Sequence, residues 1–116
     1  MNYFNRQGCP IDHLEWIKLM EDHDYRLIAL TNFKGLRVST IWLGIDYSSD
    51  SRTPVIFETM VFAGDHHHDV YCARYSTEEE AQQDHDNIVE QIRLGVFTDY
   101  NGKILGEYQI EEEILP

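Results

Sequence analysis

The residues best suited to chemistry cluster where histidine meets aspartate. His66, His67 and His68 run together between Asp65 and Asp69. Imidazole and carboxylate groups are good transition-metal ligands, and on extended backbone His66 and His68 point the same way, which makes them the candidate metal ligands. Metal sites normally gather ligands from separated segments, so an exposed Asp- and His-rich loop is the plainer reading. Asp12-His13 and Asp22-His23-Asp24 repeat the pairing without the His-Glu-x-x-His spacing that sets two imidazoles on one helix face. Ser39, Ser76, Cys9 and Cys72 are available nucleophiles, but none lies in a Gly-x-Ser-x-Gly elbow or a cysteine-protease context. The seven glycines are scattered, so there is no phosphate-cradling loop. No catalytic residue and no cofactor follow from these patterns, and the expectation is a protein that is not an enzyme.

A second constellation belongs to predicted strands. Thr40 and Trp42 share one strand face, and Glu58 and Arg74 come from neighbouring strands. Two helices need bury only one face of a sheet, so Thr40, Trp42, Glu58 and Arg74 form a candidate binding surface on the other. Trp suits that role because it supplies a large contact area with a polar N–H. A covering hairpin or a second subunit would explain the same residues without a ligand.

The elements that must position these groups are legible in outline. Pro10 opens a helix, since its missing N–H is no loss in a first turn, and Ile11, Leu14, Ile17 and Met20 give it a buried stripe widened by Trp16. Strands are expected over residues 26–33, 36–46, 55–62 and 69–75. Ser76 with Glu79 offers a capping box for a second helix, whose core stripe is Ala81, His85, Ile88 and Ile92 and whose C-terminal cap is Gly95. His85 on that stripe reads as a hydrogen-bonded core residue. Asn101-Gly102 marks a C-terminal hairpin. Short connections between consecutive strands predict an α+β fold: an antiparallel four-stranded meander, an N-terminal and a later helix packed on one face, and the hairpin. Residues 1–95 form the core, and 96–116 add the hairpin and an acidic tail to the same domain.

Composition narrows the partners. The 116 residues suffice for one domain, and 21 acidic against 9 basic residues leave a net charge of −12. Phosphate-backbone binding needs clustered Lys and Arg, so direct nucleic-acid binding is not expected, nor is attachment to an anionic membrane. Hydrophobic residues at 42% are too many for an acidic disordered tail. Two cysteines read as free thiols in a reducing compartment. No apolar leader or spanning segment is visible, which points to the cytoplasm. The negative helix around Glu78, Glu79, Glu80, Asp84, Asp86 and Glu90 is read first as a solubilising face and second as a surface that rivals nucleic acid for a basic groove.

Several runs resemble a known group of proteins. Residues 5–12 (Asn-Arg-Gln-Gly-Cys-Pro-Ile-Asp), 38–46 (Val-Ser-Thr-Ile-Trp-Leu-Gly-Ile-Asp), 56–62 (Ile-Phe-Glu-Thr-Met-Val-Phe) and 74–81 (Arg-Tyr-Ser-Thr-Glu-Glu-Glu-Ala) look like small proteins of actinobacterial phages, prophages and their hosts. The similarity covers residues 2–90; it departs at 47–52, where the group often has a Gly/Pro-rich loop. It implies a phage or prophage setting and supplies no catalytic residue. The functional expectation is an accessory protein that binds a host protein, such as a defence or nucleic-acid-processing factor, with a second copy of the chain as a further candidate partner. The alternative is a small-ligand or metal-binding domain using the Trp42 face or the His66–His68 loop.

Overall fold

Period-two alternation of buried and half-buried residues runs through all seven positions of the strand Leu36–Trp42, and the rest of the molecule is arranged around it. The computed structural model describes residues 2–33, 35–46, 53–64 and 68–105, with His68 described through its backbone alone. In chain order the elements are β1 (Tyr3–Phe4), β2 (Pro10–Ile11), α1 (His13–Met20), α2 (His23–Arg26), β3 (Leu27–Phe33), β4 (Leu36–Trp42), β5 (Phe57–Ala63), β6 (His68–Tyr75), α3 (Glu78–Leu94), β7 (Phe97–Thr98) and β8 (Ile104–Leu105). Strands β3 to β6 form the expected antiparallel meander, α3 packs on it, and β7-β8 make a separate strand pair. The fold is α+β. The acidic tail, Glu111–Glu113, lies outside the described residues.

One sheet face carries the core. Leu36, Val38, Thr40 and Trp42 alternate on β4, and the register sets Val38 opposite Val61, Thr40 opposite Thr59 and Trp42 opposite Phe57. The buried stripe of α3 is Ala81, His85, Ile88 and Ile92, as its spacing predicts. Steps of three or four residues advance a helix by about 4.5–6 Å, and two residues advance a strand by about 6.6 Å, so stripe and strand stay nearly in step. Ile88 and Ile92 accordingly join one apolar cluster with Leu36, Val38, Phe33, Val61, Phe97 and Leu105. Ala81 joins a second with Trp42, Ile56 and Phe57.

Between the clusters lies a polar seam. His85 Nδ1 is hydrogen-bonded to Thr40 Oγ1 at 2.7 Å, and its Nε2 to Thr31 Oγ1 at 2.9 Å. Thr40 and Thr59 hydroxyls are hydrogen-bonded to each other at 2.6 Å. A buried imidazole needs both nitrogens satisfied, and threonine hydroxyls serve as donor or acceptor. His85 is thus a hydrogen-bonded core residue.

Three local expectations need correction. Pro10 and Ile11 pair with β1 as a short strand, and α1 begins only at His13, where the Asp12 side chain accepts from the Glu15 N–H at 2.8 Å. An N-cap carboxylate satisfies an orphan donor, which proline at a first turn merely avoids. The stripe of α1 is also rotated: Leu14 is 70% exposed, whereas Trp16, Leu19 and Met20 pack around Trp42. That helix rests on α2 and β1. The cap of α3 is Thr77, one residue later than predicted, forming the reciprocal box with Glu80. The two overlapping patterns, Ser76–Glu79 and Thr77–Glu80, are equivalent locally. Packing of Ala81 and His85 against the sheet selects the second.

Candidate functional site

The four residues proposed as a binding surface are divided between opposite faces of the sheet. Thr40 and Trp42 are fully buried on the α3 side. Trp42 donates its indole N–H to the Phe4 carbonyl at 3.1 Å and meets the Tyr25 ring edge-on at 5.0 Å. Neither residue is available to a partner. Because Trp42 pairs with Phe57, Glu58 must face the other way, where its strand neighbours are Ile41 and Arg74. Arg74 Nε donates to Glu58 Oε2 at 2.9 Å, so those two groups engage one another. Alternation assigns a face within one strand, but register across strands decides which residues share it.

Of the candidate metal ligands, His66 lies outside the described residues, and so does the side chain of His68. Among the described residues no group of three or more His, Cys, Asp or Glu is placed to hold a metal ion. His13 stacks on Tyr3 at 5.1 Å, and Cys9 and Cys72 are free thiols. Burial pushes the Cys72 thiol up to about 11, with the Glu58 carboxylate adding to the effect. A thiol held protonated in this way is a poor nucleophile.

What the register does bring together is a face that neither core cluster includes. It carries Leu27, Leu30 and Asn32 from β3, Arg37, Ser39 and Ile41 from β4, Glu58, Met60 and Phe62 from β5, and Cys72 and Arg74 from β6. Leu30 is 45% exposed. The Arg37 guanidinium lies over the Phe62 ring, 5.0 Å from its centroid, a cation–π contact that holds the charge above an apolar floor. Arg37 and Arg74 belong to a set of only nine basic residues in the chain. An aliphatic and aromatic surface edged by arginine thus occurs in a strongly acidic protein.

At the β3 edge of this face is a pocket of about 230 Å³, lined by His23 and Arg26 of α2 together with Leu27, Leu30, Arg37, Ser39 and Ile41. Among the described residues no carboxylate lines it. The Nε atoms of Arg26 and Arg37 are both buried, and neither meets a hydrogen-bond acceptor. A larger groove of about 870 Å³ runs beside the first turn of α3, but its cation, Arg6, is held by both carboxylate oxygens of Glu78 at 2.8 and 2.6 Å. That pairing holds the Glu78 carboxyl below its usual range and raises Arg6. Alternation from Thr40 and Trp42 puts Ser39 and Ile41 on the opposite strand face, and carried back two residues it reaches Arg37. Nothing local signals that Arg26, from a separate helix, meets them.

No family model matches the chain, and neither a curated protein nor a solved structure is significantly similar to it. No helix among the described residues is long and apolar enough to cross a membrane.

Proposed function

We propose that the protein acts by non-enzymatic binding and that the sheet face opposite α3 docks a host protein. The observation that carries this reading is the composition of that face: Leu30, Ile41, Met60 and Phe62 beside Arg37, with its one carboxylate among the residues named for it, Glu58, paired to Arg74. Interface centres are enriched in aromatic residues, Met and Arg, and they are depleted in Lys, Glu and Asp. A sheet needs only one covered face to be stable, so a second apolar face has no role in folding alone. The Arg37 cation favours a partner segment that brings a carboxylate between apolar side chains. The similarity to small phage and prophage proteins supports a host factor, such as one of defence or nucleic-acid processing, and the free thiols suit a reducing cytoplasm.

Immobilised protein should retain one stoichiometric partner from actinobacterial lysate. Ile41→Glu with Phe62→Glu should abolish that capture, whereas Glu79→Gln with Glu90→Gln on α3 should leave it unchanged, with thermal melts confirming that both variants fold. Capture that survives the sheet-face pair and is lost in the α3 pair would transfer the binding surface to the acidic helix and overturn this reading. Sedimentation of the isolated protein identifies a second copy as the occupant if the same sheet-face pair dissociates a dimer.

A further inference from the structure

The pocket at the β3 edge carries a narrower inference, which does not depend on a protein partner. Its polar lining consists of two guanidiniums, an imidazole and a hydroxyl, supplied by Arg26, Arg37, His23 and Ser39. Its apolar lining is Leu27, Leu30 and Ile41. In a chain with 21 acidic residues, a concavity lined, among the described residues, by two arginines and no carboxylate is a local reversal of the overall field.

The arginines are also incompletely satisfied. Each has a buried Nε–H without an acceptor, and a buried donor left unpaired is costly, more so when charged. Two other arginines give their Nε a carboxylate partner: Arg6 donates to Glu78 and Arg74 to Glu58. Arg26 and Arg37 repeat the donors without the acceptor. A guanidinium offers a planar fork that matches the two oxygens of a carboxylate. Arg37 is fixed over Phe62 on a central strand. Arg26 closes a helical turn, its backbone N–H donating to the Asp22 carbonyl at 3.1 Å. Donors on rigid elements lose little entropy when a ligand arrives.

We propose that this pocket is a receptor for a carboxylate on a short aliphatic arm, with Arg26 and Arg37 taking the carboxylate and Leu27, Leu30 and Ile41 taking the arm. The volume of about 230 Å³ lies below the range of roughly 300–1,000 Å³ usual for drug-sized ligands, so the group it accepts is small. The three aliphatic side chains favour a carboxylate with a hydrocarbon arm over a bare inorganic anion. Such a group is supplied either by a free short-chain acid or by a glutamate side chain of another chain.

Amide NMR of the full-length protein tests this with four probes: isocaproate, its neutral amide, N-acetyl-glutamate with the α-carboxyl amidated, and inorganic phosphate. Isocaproate is expected to shift the amides of Leu27, Leu30, Ser39 and Ile41 saturably, with a dissociation constant on the order of millimolar for so small a ligand. Arg37→Gln and Arg26→Gln should each weaken binding by about tenfold or more, because a charge-assisted fork is lost. Arg37→Lys should restore little of it, and Arg93→Gln, on the α3 side of the sheet, should leave it unchanged. Tighter binding of isocaproate than of the blocked glutamate identifies a free acid as the source, and the reverse order identifies a partner's side chain. The proposal is overturned if the neutral amide binds equally well, if phosphate binds more tightly than either carboxylate, if both arginine variants bind normally, or if no saturable shift occurs through the high-millimolar range.

Discussion

His85 shows how a single residue links core packing to pH. It is 2% exposed, and both ring nitrogens are occupied by threonine hydroxyls. Desolvation lowers its pKa from the ordinary 6.5, and the neighbouring Asp86 pulls weakly the other way. The folded state therefore holds the neutral imidazole more strongly than the unfolded chain does. Stability from this group is complete above pH 6.5 and is lost as pH falls through the lowered native pKa. In an NMR titration the His85 ring should titrate below 6.5, and His85→Gln should flatten the part of the urea-stability loss that wild type shows on going from neutral to mildly acid solution. An imidazole that titrates at or above 6.5 would contradict the buried, neutral assignment. Its place on the apolar stripe was readable from spacing alone; its threonine partners, 54 and 45 residues away in sequence, were not.

At the scale of elements, the decisive contacts join pieces distant in the chain. After β4 the backbone turns through Gly44 at φ +73°, where it receives the Phe4 N–H on its carbonyl at 2.9 Å. A Cβ there would lie 2.7 Å from the Trp16 ring and closer still to Trp42, so the position needs glycine for space as well as for its left-handed conformation. Trp16 in turn donates its indole N–H to the Leu43 carbonyl at 3.0 Å, fixing α1 to the same turn. Gly44→Ala should therefore cost about 2–4 kcal/mol, beyond the roughly 1 kcal/mol of a strained φ, because two packed rings must move. Urea unfolding measures it, with Gly102→Ala as the comparison: its φ is also positive, at +78°, but nothing lies within 4 Å of an added Cβ. Equal losses at the two glycines would show that the tryptophan packing contributes nothing. The four long strands, α3 and the Asn101-Gly102 turn were readable because each carries its own periodicity or turn chemistry. The start of α1 and the register of the α3 cap were not, because in each case two local patterns compete and tertiary contacts choose between them.

Across the whole molecule the two sheet faces are unequal partners in stability. All of the sheet's fully buried apolar side chains lie on the α3 face, among them Leu36, Val38, Trp42, Phe57 and Val61. Leu36→Ala should accordingly cost about 2–5 kcal/mol in urea unfolding, as buried leucines do, whereas Leu30→Ala on the other face should stay within about 1 kcal/mol. A large loss at Leu30 in the isolated protein would mean that the face is structural, and its availability for docking would fall with it. The charge has a corresponding asymmetry. Six acidic residues lie on α3, while Arg26, Arg37 and Arg74 lie on or beside the opposite sheet face, together with Glu58.

By itself the sequence determined the class of the fold, the meander, the stripe of α3, the burial of His85 and the C-terminal turn. These depend on interactions within a few residues: side-chain periodicity, capping groups and turn dihedrals. The tertiary structure alone decided which face of the sheet α3 covers, and with it the placement of Thr40 and Trp42 in the core and of Glu58 and Arg74 on the opposite face. It also brought Arg26 of α2 beside Arg37 of β4. Such juxtapositions depend on cross-strand register and on where a helix docks, and those are set by the sum of long-range packing, which no local pattern in the chain encodes.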